Sequence, residues 1–118
     1  MNIEEVRKYA LSLNENVTED LFAEQWISWG IVGKWFLLVQ LDAPEPRIAV
    51  KLPPTIGSAL REQYEGVCPA YHMNKTHWSD LYLNMLNDEF VKKLINASFQ
   101  LVVSKLPNKL QQQIFTTM

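Results

Sequence analysis

Apolar side chains recur along this chain at two spacings, and the changes from one to the other mark out the elements. Ile3, Val6, Ala10 and Leu13 follow helical spacing. Asn2, with Glu5 three residues on, forms an N-cap with a carboxylate able to reach back, so a first helix is predicted over 3–13. Asn14, Glu15 and Asn16 break it, and the tract from Val17 to Gln25 reads as a short irregular strand. From Trp26 to Leu41 the chain turns β-branched and aromatic, with a tight reversal at Val32, Gly33 and Lys34 that predicts a hairpin. In its second arm Trp35, Leu37, Val39 and Leu41 alternate against Phe36, Leu38 and Gln40, so one face is buried and the other is partly apolar.

Pro44 and Pro46 turn the chain again. Arg47 to Leu52 then alternates cleanly, with Ile48, Val50 and Leu52 inward and Arg47, Ala49 and Lys51 outward, which puts two cations on one exposed strand face. Pro53 and Pro54 end that strand. Thr55 is the expected cap of a helix lined by Ile56, Ala59, Leu60 and Tyr64 and closed by Gly66. Val67 to His77 reads as a loop and Trp78 to Leu83 as a strand. Asp88 is the expected cap of a long helix with Phe90, Val91, Leu94, Ile95, Leu101, Val102 and Leu106 at three- and four-residue steps. Pro107 stops it and starts a short last helix with Leu110 and Ile114 inward.

This order lacks the strict alternation of a parallel doubly wound sheet. The predicted fold class is α+β, an antiparallel sheet with helices packed on one face, in a single domain over 1–118. The length suffices for a core without metal or disulfide. Cys68 is the single cysteine, so no internal bridge forms, and with no signal-like N-terminal run the expected location is cytoplasmic. No apolar run approaches the roughly 20 residues of a membrane helix.

Charge changes the picture more than composition does. The net charge of −2 argues against a strongly basic nucleic-acid binder. Residues 1–45, however, hold eight acids against three bases, a balance of −5, while the remainder carries +3. That split permits a local basic face.

Few residue groups offer chemistry. Gly30 to Lys34 resembles a phosphate loop, but two residues rather than four separate its glycines and Trp35 follows the lysine, so it is a hairpin turn. His72 and His77 are the only histidines, and their spacing sets them apart on a helix or a strand; a metal site with Asp80 would need an irregular loop. Cys68 reads as a small buried thiol rather than a nucleophile, and Glu19, Asp20 and Glu24 as a solvated acidic run. No catalytic set emerges, no cofactor is implied, and the expectation is a protein that is not an enzyme. Tyr71-His72-Met73-Asn74-Lys75-Thr76-His77-Trp78 is the most informative stretch. It suits contact with phosphates and bases, or with a protein partner. Equally, it reads as a loop anchored by Tyr71 and Trp78 whose turn is satisfied by Asn74 and Thr76.

The run PAYHMNKTHW followed by LYL resembles the signature of the MmcQ/YjbR-like family, small bacterial proteins of frataxin-like (CyaY-like) fold. NIEEVRKYALSL, VTED, VGKWF, RIAVKL, LREQYEGVCPAYHMNK and LVVSKLP extend the similarity over nearly the whole chain. The resemblance implies a CyaY-like, double-wing architecture and a DNA-binding role. Carried over by position, the wing candidates are the hairpin at Gly33 and Lys34, the strand face of Arg47 and Lys51, and the loop from His72 to Trp78. Two departures stand out: Asn14-Glu15-Asn16 replaces a Pro-Gly-like turn, and Leu21-Phe22-Ala23-Glu24 replaces a Phe-Pro-Phe-Gly-like stretch, adding acid near the first strand. The leading expectation is a non-catalytic module that binds DNA through Lys34, Arg47, Lys51, His72, Asn74, Lys75 and His77, with Trp78 as a stacking platform. The alternative is a protein-interaction or small-ligand module, with metal handling by analogy with frataxin as a third reading. Either would be a monomer or a weak homodimer.

Overall fold

A computed structural model describes residues 1–116 of the chain. Helix α1 (Ile3–Ser12) opens on the predicted capping box, with Asn2 and Glu5 each accepting the other's backbone N–H. Strands β1 (Thr18–Phe22), β2 (Trp26–Ile31), β3 (Lys34–Gln40) and β4 (Arg47–Lys51) follow, then α2 (Pro54–Gln63), β5 (Val67–Pro69) and β6 (Trp78–Tyr82). A 3₁₀ turn over Leu83–Met85 leads into α3 (Asp88–Ser104) and α4 (Asn108–Thr116). The six strands form one antiparallel sheet in the order β1-β2-β3-β4-β6-β5.

The helices lie on one face of it. Val6 and Ala10 of α1, Val91, Leu94, Ile95, Phe99, Val102 and Val103 of α3, and Ile114 of α4 share a core with Trp29, Val39, Ile48, Val50 and Leu81 of the sheet. Each such side chain, fully buried, contributes on the order of 1.5–3 kcal/mol, which makes α3 the main clamp on the sheet. The predicted fold class is the observed one.

Several local expectations give way to identifiable causes. A β-bulge between the Trp29 and Gly30 pairings inserts Phe36 as an extra residue on β3. Phe36 therefore joins Leu37 and Val39 on the helical side, edge-on to Phe99 at 5.3 Å, and Trp35 moves to the opposite face. Gly30 permits this crowding, because a Cβ there would lie 2.8 Å from the Lys34 carbonyl oxygen. The β2–β3 turn places both Val32 (φ 50°) and Gly33 (φ 72°) in the left-handed region. Pro53, not Thr55, sits at the cap of α2, and with Pro54 opening the helix its buried position is Gly57 against Ser79 and Leu52, leaving Ile56 and Ala59 exposed. Val67 to Pro69, read as loop, pairs with β6 as a short edge strand. Asn87 rather than Asp88 caps α3, accepting from the N–H groups of Glu89 and Phe90. Among the described residues no helix is long and apolar enough to cross a membrane.

Candidate functional site

The sheet face away from the helices carries almost every residue singled out for recognition. Pairing registers place Arg47, Ala49 and Lys51 of β4 beside Tyr82, Asp80 and Trp78 of β6, with Leu38 and Gln40 of β3 and Ser28 and Trp26 of β2 continuing the same face. The segment from Ala70 to His77 folds over it. Leu38, Ala49, Ala70 and Trp78 form a small second core, joined by Phe22, Trp26 and Met73. Trp78 is only 7% exposed. It is a core side chain beneath the loop, not a stacking platform.

Asp80 fastens this loop. It is 6% exposed, accepts the Tyr71 backbone N–H at 3.0 Å, and faces the Arg47 guanidinium at 4.0 Å. Burial pushes its carboxyl above the usual carboxylate range, opposed by the Tyr71 N–H and by the charges of Arg47, His72 and Lys75. Arg47 also donates to Gln40 (3.1 Å) and Tyr82 (3.3 Å) and lies 5.6 Å from the Tyr71 ring centroid. Arg47 is thus committed within the protein, and the expected freely exposed pair of strand cations is not formed.

The loop carries its own fastenings. The Lys75 ammonium donates to the carbonyls of Ala70 (2.7 Å) and Tyr71 (3.3 Å), and Arg61 of α2 donates to the Lys75 carbonyl at 2.8 Å. Asn74 accepts from the Thr76 N–H with its side chain and from the His77 and Trp78 N–H groups with its backbone. Asn74 therefore satisfies the loop's turn, as the anchored-loop reading expected, while Lys75, expected as an outward contact, fastens the loop instead. Tyr71, expected as an anchor, is 69% exposed. His72 and His77 are exposed, and His72 meets Trp26 edge-on at 5.3 Å. Cys68 is half-buried rather than buried and donates to the Glu65 carbonyl; burial, then the Asp80 carboxylate, push its thiol pKa up, which is wrong for a nucleophile.

Two of the expected contact cations do converge. Lys34 at the start of β3 and Lys51 at the end of β4 line a cleft of 520 Å³ together with Lys105, the residue capping the end of α3. Gly33, Trp35, Met73, Trp78, Val102 and Leu106 complete its wall. Among the described residues no acidic side chain lines it, and none of the three ammoniums has a carboxylate within 4 Å. Ser98 of α3 sets the position of Lys51, its hydroxyl accepting the Lys51 N–H at 2.8 Å and donating to the Phe36 carbonyl at 2.6 Å. Trp35 stands at the rim, 42% exposed, stacked on Phe22 at 5.3 Å; Phe22 in turn stacks on Trp26 at 6.1 Å. A second cleft, around Arg47 and Cys68, includes Glu45 and Glu65 and so disfavours an anion.

Lys105 and Trp35 were not among the expected contacts. Helical periodicity places Lys105 only at a helix end, and strict alternation assigned Trp35 to the wrong face. Among the described residues no three His, Cys, Asp or Glu side chains converge as a metal site would require.

The family model described as YjbR matches residues 11–101. The chain is 36% identical to the Escherichia coli K12 protein YjbR over 75 residues, covering 63% of this chain and 64% of that one. It is 31% identical to YbdF of Escherichia coli O157:H7 over 94 residues, covering 79% of this chain and 77% of the other. Both relatives are described as uncharacterized. In structure it is similar to the Deinococcus radiodurans protein DR2400, of domain family DUF419, with a TM-score of 0.87 over 97% of this chain and 88% of that one at 22% identity, a likeness of fold alone. A Pseudomonas syringae crystal structure matches with a TM-score of 0.75 at 28% identity over 86% of this chain and 99% of the other.

Proposed function

We propose that this chain, which belongs to the YjbR family, is a non-catalytic binding protein whose partner is DNA, held by phosphate contacts at the lysine-lined cleft. The observation that carries the reading is the meeting of Lys34, Lys51 and Lys105 in one cleft without a lining carboxylate among the described residues. Ammonium groups on flexible stems neutralise phosphates as point charges and release condensed counterions. The exposed His72 and His77 flank the same face and add hydrogen bonds. In the frataxin-like, double-wing arrangement that the resemblance implies, the β2–β3 turn at Gly33 and Lys34 is the wing nearest the cleft. Arg47, Lys75 and Trp78 act indirectly here, by holding the loop, and the working location is the cytoplasm.

Because the net charge is −2, binding is weak and depends on this local patch. Three phosphate contacts on duplex give a slope of log K against log salt of about −2.7. Fluorescence anisotropy with a labelled duplex at low salt tests the reading. Lys34→Ala, Lys51→Ala and Lys105→Ala each weaken binding and shallow the slope, whereas Lys8→Ala on α1 does not. Absence of binding at low salt, or a triple alanine variant that binds as the parent does, would sink the proposal.

The protein-interaction reading draws on a different observation, the ring series of Trp26, Phe22 and Trp35 beside the exposed Tyr71. Aromatic side chains of this kind are enriched at protein interfaces. A partner binding there would be lost on Tyr71→Ala and indifferent to salt.

A further inference from the structure

We infer that the lysine-lined cleft takes a single-stranded segment, with an unpaired base stacked on Trp35 and neighbouring phosphates at Lys34, Lys51 and Lys105. The inference rests on the DNA reading above and specifies which form of DNA the site accepts.

Trp35 carries the argument. A tryptophan in a strand is ordinarily buried, yet this one stays 42% exposed and borders the cleft. It is held rather than loose: Phe22 stacks on it with an interplanar angle of 15°, and Phe22 stacks on Trp26 with 19°. His72 closes the far end against the edge of Trp26. The three near-parallel rings form an ordered series that ends at Trp35, the one ring that reaches the lysines. The β-bulge at Phe36 is what turns Trp35 to this side, and without it the ring would point toward the helices.

A further flat ring extends such a series at little entropic cost, because the platform is already ordered. In a duplex each base is paired and stacked on its neighbours, so a ring fixed to a sheet meets sugar and phosphate instead. In a single strand the base face is free. Lys34 adjoins Trp35 in sequence, and Lys51 and Lys105 lie on the same cleft wall, so cations stand within reach of the phosphates that flank a stacked base. A cationic groove with an aromatic platform is the general arrangement by which single strands are bound with little sequence preference.

The test compares labelled dT12, a blunt 12-base-pair duplex and a 12-mer of abasic residues by fluorescence anisotropy at low salt. The parent protein is expected to bind dT12 more tightly than the duplex. It should bind the abasic strand about tenfold more weakly than dT12, since stacking of one base accounts for roughly that factor. Trp35→Ala should lose about the same factor on dT12 and little on the abasic strand, while Trp35→Phe keeps most of the affinity. Up to three contacts give a salt slope of about −2 on dT12. Equal binding of dT12 and the abasic strand by the parent overturns the inference, and that arm does not depend on how any variant folds. Duplex bound as tightly as dT12 overturns it too, while leaving the DNA reading standing. Should neither strand form bind, both readings are lost together.

Discussion

Ser98→Ala is expected to unpick the junction between α3 and the sheet. The Ser98 side chain is fully buried, and its hydroxyl serves two backbone groups on adjacent strands, the Phe36 carbonyl and the Lys51 N–H. Both need it. Phe36 is the extra residue of the bulge and Lys51 is the last residue of β4, so both lie where regular strand pairing is interrupted or ends. Alanine removes the hydroxyl and leaves a donor and an acceptor unpaired. An orphaned buried polar group costs about 1–3 kcal/mol; Phe36 is buried and Lys51 only partly so, which places the sum near 2–4 kcal/mol. Alanine's better helix propensity returns roughly 0.5 kcal/mol of that. Against the 5–15 kcal/mol typical of a domain the remaining loss is large, and it corresponds to a fall in Tm of about 10 °C. Urea unfolding followed by far-UV circular dichroism measures it, with the m-value unchanged if only the native contact is lost. Ser104→Ala is the control: an exposed serine on the same helix whose hydroxyl donates to the Leu101 carbonyl one turn back, with an expected change within about 0.5 kcal/mol. A Ser98→Ala loss no greater than that of the control refutes the reasoning.

Three further outcomes follow from the same geometry. Asp80 has its folded pKa raised by burial, so the native state binds its proton more tightly than the unfolded chain does, and stability from this group is lost as pH rises from the ordinary carboxylate range through the folded pKa. The stability of Asp80→Asn relative to the parent should therefore increase from pH 4 upward in parallel urea titrations; a flat difference contradicts the assignment. Val32→Asn relieves a β-branched residue at φ 50° in a two-residue turn that favours Asn-Gly, and should stabilise by about 1 kcal/mol in urea unfolding. Trp78→Ala should cost about 3–5 kcal/mol by calorimetry, the penalty of a core aromatic, where a surface contact residue would cost little.

What could be read from the chain divides by how local its cause is. The α1 capping box, the α3 periodicity and the reversal at Gly33 each lie within a few residues and stand as expected. The bulge at Phe36 depends on Gly30 meeting a carbonyl across the hairpin, which alternation along one strand does not encode. Strand β5 is three residues long and contains proline, so it carries no period to detect. At the site, Arg47 reads as an exposed cation until the register sets Asp80 beside it on the neighbouring strand. Lys34 and Lys51 were legible as cations, but their meeting with Lys105 comes from α3 crossing the sheet, a matter of packing alone.

The two outer strands of the sheet also bear on how the protein behaves at high concentration. An open edge is a template on which another chain can add a strand, and unprotected edges seed fibres. Strand β5 offers only three residues, and Pro69 among them has no N–H to give. Strand β1 is longer but carries Glu19, held by Arg7 and by the Trp29 indole, and the exposed Asp20. An incoming β-strand would have to desolvate those carboxylates before it could pair. The acid that makes the chain's net charge negative is, at this edge, what keeps the sheet at six strands.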